Sequence, residues 1–316
     1  MLLLKICKWI IKEMCVLIDK NYCMSSYLAF RYIYEAEKDF SEKTGHEHYI
    51  PLSESKKKLV ETSDDIDAAI QIQFDKLKGL KLGIFLSGGM DSAILASYMS
   101  GADAYTFRFM NGEYQKEELQ RAEYYADYYK LNLHYVDINW EVVLNNVDKC
   151  MLHKSAPVHS IEPQLFEGAK QAKTDGIDLM VIGNGSDYVF GGMDKLLSKD
   201  WTFDEFYKRF IYIEPSEVLK NPVDMKYIFE KYREGKGIDY IAMLNDVSIA
   251  ESYSSYKNAF ESAEMPYLDP YEGLKMKKPL DLCRIRGGES KYLIRDLFKK
   301  YIRMLKFPKN YLCQDR

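Results

Sequence analysis

The sequence lacks paired cysteines. Its six cysteines form no C-x-x-C pair, and its histidines and cysteines show no spacing typical of a metal site. This pattern argues against a disulfide framework and indicates reduced thiols, so we expect a cytoplasmic protein. The six residues are Cys7, Cys15, Cys23, Cys150, Cys283 and Cys313.

The sequence also lacks an excess of charge and a long uncharged apolar run. The net charge is −4, from 44 basic and 48 acidic residues, so nucleic acid is not an expected partner. Residues 1–18 are apolar, but Lys5, Lys8, Lys12 and Glu13 interrupt them too often for a membrane span. We predict an amphipathic helix that packs on the protein; contact with a membrane surface and a natural start at Met24 are the alternatives.

Apolar residues recur at helical and strand spacing through the middle of the chain. The spacing predicts a helix over 64–78, an apolar strand over 80–86 and, after a Ser-Gly-Gly turn, a helix over 91–99. Strands and helices then alternate over 102–110, 117–130, 133–138, 164–174 and 178–182. This alternation predicts an α/β fold, with a parallel sheet covered by helices and a ligand site at the carboxyl ends of its strands.

Composition divides the chain into three predicted parts. Residues 64–200 carry the strand and helix alternation and are predicted to form an α/β nucleotide-binding domain. Residues 201–316 contain aromatic and charged helix-like segments, which predict a mainly helical C-terminal part of that domain. Residues 1–63 are predicted to form an N-terminal helical extension.

The strongest local signal is the segment 86–92, Leu-Ser-Gly-Gly-Met-Asp-Ser, between the first strand and its helix. Its two glycines allow the backbone to approach a phosphate, and its two serines offer hydroxyl donors. No Gly-Lys-Ser/Thr follows, so the segment is not a Walker loop. Asp91 would repel phosphate unless a cation lay between them, and Mg²⁺ prefers such oxygen ligands. The alternative is an ordinary serine-glycine turn with a helix N-cap.

Residues 87–92 resemble the pyrophosphate loop of the N-type ATP pyrophosphatases. Residues 183–192, Gly-Asn-Gly-Ser-Asp-Tyr-Val-Phe-Gly-Gly, resemble a segment of asparagine synthetases, Gly-Glu-Gly-Ala/Ser-Asp-Glu-Leu-Phe-Gly-Gly. Weaker matches to the same family follow in the expected order at 261–269, 291–295 and 305–309. The resemblance therefore covers residues 65–310 and implies a Rossmann-like sheet of the adenine nucleotide α-hydrolase type.

The resemblance implies a role for each matched position. Phosphates of ATP would be held by Ser87, Gly88, Gly89 and Ser92, and adenosine would be framed by Leu86, Phe107 and Gly183. Asp91 and Asp187 would bind Mg²⁺. Lys309 would stabilise the charge that develops as the adenylate forms; a solvated tail lysine is its alternative. Glu261 is either a catalytic acid or a buried structural one.

The chain departs from the family in two places. The glutamine-dependent members begin with a glutaminase domain and its N-terminal cysteine, whereas position 2 here is Leu2. We therefore expect the nitrogen to arrive as ammonia, from a separate glutaminase, or as an amine of the substrate. Asn184 replaces the glutamate of asparagine synthetases and the tyrosine of their ring-closing relatives, and it is neither an acid nor a base. Asp246 and Glu251 are alternative candidates for the base.

The leading hypothesis is an ATP-dependent ligase that adenylates a small-molecule carboxylate, releases pyrophosphate and transfers the acyl group to ammonia or an amine. A ring-closing ligase of the β-lactam synthetase type is the nearest alternative, and residues 191–193, Gly-Gly-Met, favour it slightly. An RNA-modifying or thiol-transferring enzyme would need a basic surface and paired cysteines. A non-catalytic nucleotide-binding relative would explain Asn184 but not the retained Asp91, Asp187 and Lys309.

Overall fold

The computed structural model describes residues 17–42, 45, 46, 48–110 and 116–302. The chain divides into two compact units, and each unit draws on three stretches of sequence. The first unit comprises residues 1–50, 149–159 and 201–258, and the second comprises 51–148, 160–200 and 259–316. The three domains predicted from the sequence follow chain order and stay a prediction.

The second unit contains a five-stranded parallel sheet among its described residues. Its strands, numbered here along the chain, are β1 (Leu82–Phe85), β2 (Asp103–Phe109), β3 (Asn132–Ile138), β4 (Leu179–Val181) and β5 (Tyr267–Leu268). They lie in the order β5-β4-β1-β2-β3. Because all five run in the same direction, the carboxyl ends of the adjacent strands β1, β4 and β5 meet at one edge of the sheet. The predicted α/β fold with a parallel sheet is confirmed.

Helices cover this sheet and supply much of the buried core. Ile66, Ile70 and Phe74 lie four residues apart on one face of the helix Ser63–Asp75 and are buried together with Ile84 of β1. That helix begins with a capping box, in which Thr62 and Asp65 satisfy each other's backbone N–H groups. The remaining described helices that carry residues of this unit are Met90–Ala96, Lys116–Tyr129, Trp140–Lys154, Glu162–Thr174, Ser186–Phe190, Asp194–Leu197, Ile249–Ser262, Leu282–Arg286 and Tyr292–Ile302.

The first unit is mainly helical and has an aromatic core. The ring of Phe30 lies 5.7 Å from that of Phe229 and 6.4 Å from that of Phe210, centroid to centroid. A short parallel pair joins Leu17–Ile18 to Lys38–Asp39, and an antiparallel pair joins Arg233–Glu234 to Gly237–Ile238. Its described helices are Lys20–Phe30, Phe203–Phe210, Pro215–Val218, Lys226–Glu230 and Tyr240–Met243, and the helix Ile249–Ser262 begins in it.

Several sequence predictions differ from the structure in detail. The strand β5 was not predicted, because two residues are too few to show a strand period. The helix predicted over 91–99 is the shorter Met90–Ala96. The N-terminal amphipathic helix predicted within 1–18 falls mainly outside the described residues. No described helix has the length and apolar character that a bilayer crossing requires.

Candidate active site

The first loop of the site follows strand β1. Leu86 is 1% exposed, and its backbone N–H donates to the Tyr105 carbonyl at 2.9 Å, which continues the sheet into the loop. The Ser92 hydroxyl donates to the Gly89 carbonyl at 3.1 Å and lies 3.2 Å from the Ser87 hydroxyl. These short contacts hold residues 86–92 in one compact turn. The predicted phosphate-binding residues Ser87, Gly88, Gly89 and Ser92 therefore all lie in a single ordered loop.

Gly88 adopts a conformation that a side chain would not tolerate. Its φ is +77°, in the left-handed region, and a Cβ atom placed there would overlap the backbone carbonyl of Glu118. The Arg121 guanidinium donates to the Gly88 carbonyl at 3.0 Å from the same helix, Lys116–Tyr129. The loop is thus pressed against a helix at this point, and only glycine fits.

We expect Gly88→Ala to destabilise the protein more than a matched glycine change. Left-handed backbone alone costs about 1–2 kcal/mol for alanine, and the Glu118 carbonyl adds a clash that only a backbone shift can relieve. Gly101→Ala is the control, because Gly101 has φ +83° and no atom within 4 Å of its Cβ position. Urea unfolding measures both variants. Equal losses of unfolding free energy would contradict the crowding at Gly88.

The second loop follows strand β4 and contacts the first. The Ser186 hydroxyl donates to Asp91 Oδ1 at 2.5 Å, and the Tyr271 hydroxyl donates to the Asp91 carbonyl at 3.0 Å. Gly183 packs beside them, since a Cβ atom there would lie 3.5 Å from Asp91 Cβ. A Cβ atom on Gly192 would overlap the carboxylate of Asp187, so glycine is required at that position too. The two motifs found in the sequence are therefore neighbours in space.

Asp91 and Asp187 converge on one lysine that the sequence reasoning did not assign. The Lys291 ammonium lies 2.8 Å from Asp91 Oδ2 and 2.5 Å from Asp187 Oδ1. Lys291 is 9% exposed. Burial alone would lower the pKa of Lys291, but Asp91 and Asp187 outweigh it and raise that pKa above its ordinary value. The ammonium group is therefore held in its charged form.

The carboxyl group of Asp187 is also perturbed. Its partial burial raises its pKa; Lys291 opposes that shift and Asp91 adds to it. Two carboxylates that touch one ammonium are also close enough to share one divalent cation, and Mg²⁺ favours carboxylate oxygens. The pair has the ligand type that Mg²⁺ prefers, but the Lys291 ammonium lies between the two carboxylates, and no cluster of three His, Cys, Asp or Glu residues that could hold a metal occurs among the described residues.

Asp269 fixes the second loop from the end of strand β5. Its Oδ2 accepts from the Gly185 N–H at 2.6 Å, and its Oδ1 accepts from the Tyr271 N–H at 3.0 Å. Asp269 is 3% exposed, so both donors are paired away from water. Tyr271 in turn reaches Asp91 through its hydroxyl group. Asp269 therefore positions both the loop and one neighbour of Asp91.

We expect Asp269→Asn to lower the free energy of unfolding by about 1–3 kcal/mol, because an amide can accept only one of the two N–H bonds and leaves the other donor buried and unpaired. Asp281→Asn is the control. Asp281 accepts a single helix-capping bond from the Arg284 N–H at 3.1 Å, which asparagine can replace. Chemical denaturation of both variants tests the prediction, and similar stabilities would refute it.

The other predicted residues lie as follows. Phe107, in β2, packs its ring 5.0 Å from that of Phe85, centroid to centroid, and close to Gly168. Asn184 lies half-buried in the second loop, between Gly183 and Gly185. Glu261 is exposed near the end of the helix Ile249–Ser262, so its interpretation as a buried structural acid is wrong. Lys309 lies outside the described residues.

Asp246 and Glu251, the alternative bases, belong to the first unit. Asp246 accepts hydrogen bonds from the hydroxyl groups of Tyr34, at 2.9 Å, and Tyr232. Glu251 pairs with Arg31 at 3.4 Å. Both carboxylates therefore have partners within the first unit, and a role as base stays a hypothesis for each.

A comparison with known protein families matches the part of the chain that contains both loops. The model of the asparagine synthase family matches residues 63–269, which include both loops and Asp269 but end before Lys291. No curated protein matches the chain.

Two solved structures are similar at low identity. The U34-tRNA thiolase NcsA from Methanococcus maripaludis, solved with its 4Fe-4S cluster, is 13% identical over 87% of this chain and 91% of that chain, with a TM-score of 0.29. NMN synthetase from Francisella tularensis is 14% identical over 80% of this chain and 97% of that chain, with a TM-score of 0.31. At such TM-scores neither likeness carries an argument about the site.

Proposed function

Because the chain belongs to the asparagine synthase family, whose members are ATP-dependent adenylating enzymes, we propose that it is an amide ligase that forms AMP and pyrophosphate. Its substrates would be ATP, a small-molecule carboxylate and a nitrogen nucleophile, either ammonia or an amine. The ammonia would be free in solution or supplied by a separate glutaminase. The observation that carries this proposal is the convergence of Asp91, Asp187 and Lys291 beside the loop 86–92.

The reaction has two balanced steps. An oxygen of the carboxylate attacks the α-phosphorus of ATP, the bond to the bridging oxygen of the β-phosphate breaks, and pyrophosphate leaves. The nitrogen nucleophile then attacks the acyl carbon, AMP leaves with the carboxyl oxygen, and a proton is lost from nitrogen. The first step builds negative charge on the leaving pyrophosphate, so it requires positive charge and hydrogen-bond donors at that position.

The described residues would divide these tasks. The compact loop with Ser87, Gly88, Gly89 and Ser92 would hold the β- and γ-phosphates through its N–H and hydroxyl donors. Asp91 and Asp187 would hold Mg²⁺, which supplies charge neutralisation at the phosphate oxygens. The Lys291 ammonium, already in place between the two carboxylates, would add a fixed positive charge. Leu86, Phe107 and Gly183 are proposed to frame adenosine.

Lys309, Asn184 and Glu261 complete the proposed set of catalytic residues. Lys309 is proposed to stabilise the transition state from the C-terminal segment. Asn184 and Glu261 are proposed near the acyl acceptor, where Asn184 can orient a nucleophile by hydrogen bonding but cannot take its proton.

Carboxylate-dependent exchange of labelled pyrophosphate into ATP tests the first step in the absence of any nitrogen donor. We expect the wild-type protein to incorporate label only with certain carboxylates. Asp127→Asn should behave as wild type, because Asp127 is 87% exposed and its ion pair with Lys130 is a surface contact. Exchange that proceeds without any carboxylate would contradict the proposed adenylation.

A further inference from the structure

The first unit contains a cluster of an aspartate and two histidines, formed by the buried Asp39 and the half-buried His46 and His48. The His46 ring nitrogen Nδ1 lies 2.6 Å from Asp39 Oδ1, and the His46 backbone N–H donates to the same oxygen at 2.7 Å. The side chains of His46 and Asp39 are 3% and 2% exposed. Asp39 is itself fixed, because the strand Lys38–Asp39 pairs with Leu17–Ile18.

The contact with Asp39 sets the chemistry of the His46 ring. A carboxylate can only accept, so His46 Nδ1 carries the proton of this hydrogen bond, and in the neutral imidazole the lone pair is on Nε2. His46 Nε2 is buried and has no hydrogen-bond partner among the described residues. A buried acceptor of this kind needs either a donor or a metal ion.

The ring of His48 lies beside the ring of His46. The two ring centroids are 4.5 Å apart, with an interplanar angle of 51°, and the Nε2 atom of His48 is also withdrawn from solvent. Imidazoles bound to one ion through nitrogens at about 2.0–2.1 Å place their ring centres roughly 5 Å apart. The 4.5 Å spacing of the two rings is therefore close to the spacing of two imidazoles on one ion.

We propose that His46 and His48 bind a divalent transition-metal ion of the zinc type through their Nε2 atoms, with Asp39 as the positioning residue behind His46. A metal-binding histidine usually donates its other ring N–H to a carboxylate, as His46 does here. Imidazole favours zinc, copper and nickel over magnesium. Water would complete the coordination. This site is separate from the proposed magnesium site, whose ligands are carboxylates.

Cobalt titration of the tag-free, metal-stripped full chain tests this site. Co²⁺ reports binding by its visible absorption, and Zn²⁺ should then displace it. We expect saturation by one Co²⁺ ion per chain. His46→Ala and His48→Ala should each lower the affinity for Co²⁺ at least about 10-fold, and Asp39→Asn should lower it about 10–100-fold. His134→Ala is the control, because His134 also pairs with an aspartate, Asp103, at 2.7 Å but stacks on Tyr105. The proposal would be overturned if His46→Ala bound Co²⁺ as tightly as the wild type does. It would also be overturned if His134→Ala lost as much Co²⁺ affinity as His46→Ala.

A second measurement does not depend on whether the variants fold. Long-range proton–nitrogen spectra resolve the ring nitrogens of the five histidines in the wild-type chain. We expect Zn²⁺ to shift the Nε2 resonances of His46 and His48 and to leave those of His134 unchanged. No shift at His46, or shifts of the same size at all five histidines, would overturn the site.

Discussion

The Asp91→Asn variant is expected to form AMP at least about 100-fold more slowly than the wild type. Asparagine preserves the shape of the side chain and can still accept the Ser186 hydroxyl, which lies 2.5 Å from Asp91 Oδ1. What it removes is the negative charge that pairs with Lys291 and that would hold Mg²⁺. The change therefore affects the charge of the site with little effect on its packing. Steady-state AMP release, measured over a range of Mg²⁺ concentrations, gives the loss.

Asp127→Asn is the matched control for this variant, since it makes the same chemical change at an exposed position of the helix Lys116–Tyr129. It should keep wild-type activity. The thermal midpoint of Asp91→Asn separates a loss of chemistry from a loss of fold. An Asp91→Asn protein that forms AMP at the wild-type rate would show that Asp91 is not part of the reaction site.

Lys291→Met is expected to reduce AMP formation to a similar extent and, in addition, to make the protein's stability depend on Mg²⁺. Methionine approximates the length of the lysine stem but removes the ammonium between Asp91 and Asp187. Two neighbouring carboxylates without a counter-charge repel each other, so one would take up a proton or the fold would lose stability. A divalent cation can replace the missing charge. Thermal melting with and without Mg²⁺ should show a larger stabilisation of the variant than of the wild type.

Lys299→Met provides the control for this second prediction, because Lys299 lies in the following helix, Tyr292–Ile302, and is 66% exposed beside Asp296. It should match the wild type in both activity and Mg²⁺ dependence. If Mg²⁺ stabilised Lys291→Met no more than Lys299→Met, the carboxylate pair would not be the cation site.

Local sequence patterns were sufficient to predict four of the five strands of the sheet and the two loops. The apolar run at 80–86 and the turn after it gave β1 and the loop 86–92, because both are set by residues adjacent in sequence. Asp91 and Asp187 were predicted to bind Mg²⁺, and the structure brings both carboxylates into contact with Lys291. Their assignment as magnesium ligands remains a prediction.

Contacts between residues distant in sequence could not be predicted in the same way. Lys291 reaches Asp91 across 200 positions, and nothing near Lys291 indicates which carboxylate it meets. The weaker family match at residues 291–295 was the available signal. The strand Tyr267–Leu268 has no period of its own and exists because it pairs with Met180 and Val181 of β4. The π-helical turn Leu244–Ser248 likewise lies within residues 201–316, where the composition predicted helices but gave no sign of this irregular turn.

Nucleotide product analysis tests the central claim most directly. Purified protein is incubated with ATP, Mg²⁺, ammonium and a pool of carboxylates, beside the Asp91→Asn variant, and AMP is separated from ADP. The proposed function predicts AMP and pyrophosphate in equal amounts with the wild type, and both at a rate at least about 100-fold lower with the variant. ADP and phosphate in place of AMP would contradict it, because cleavage would then occur at the γ-phosphate and no carboxylate would be adenylated.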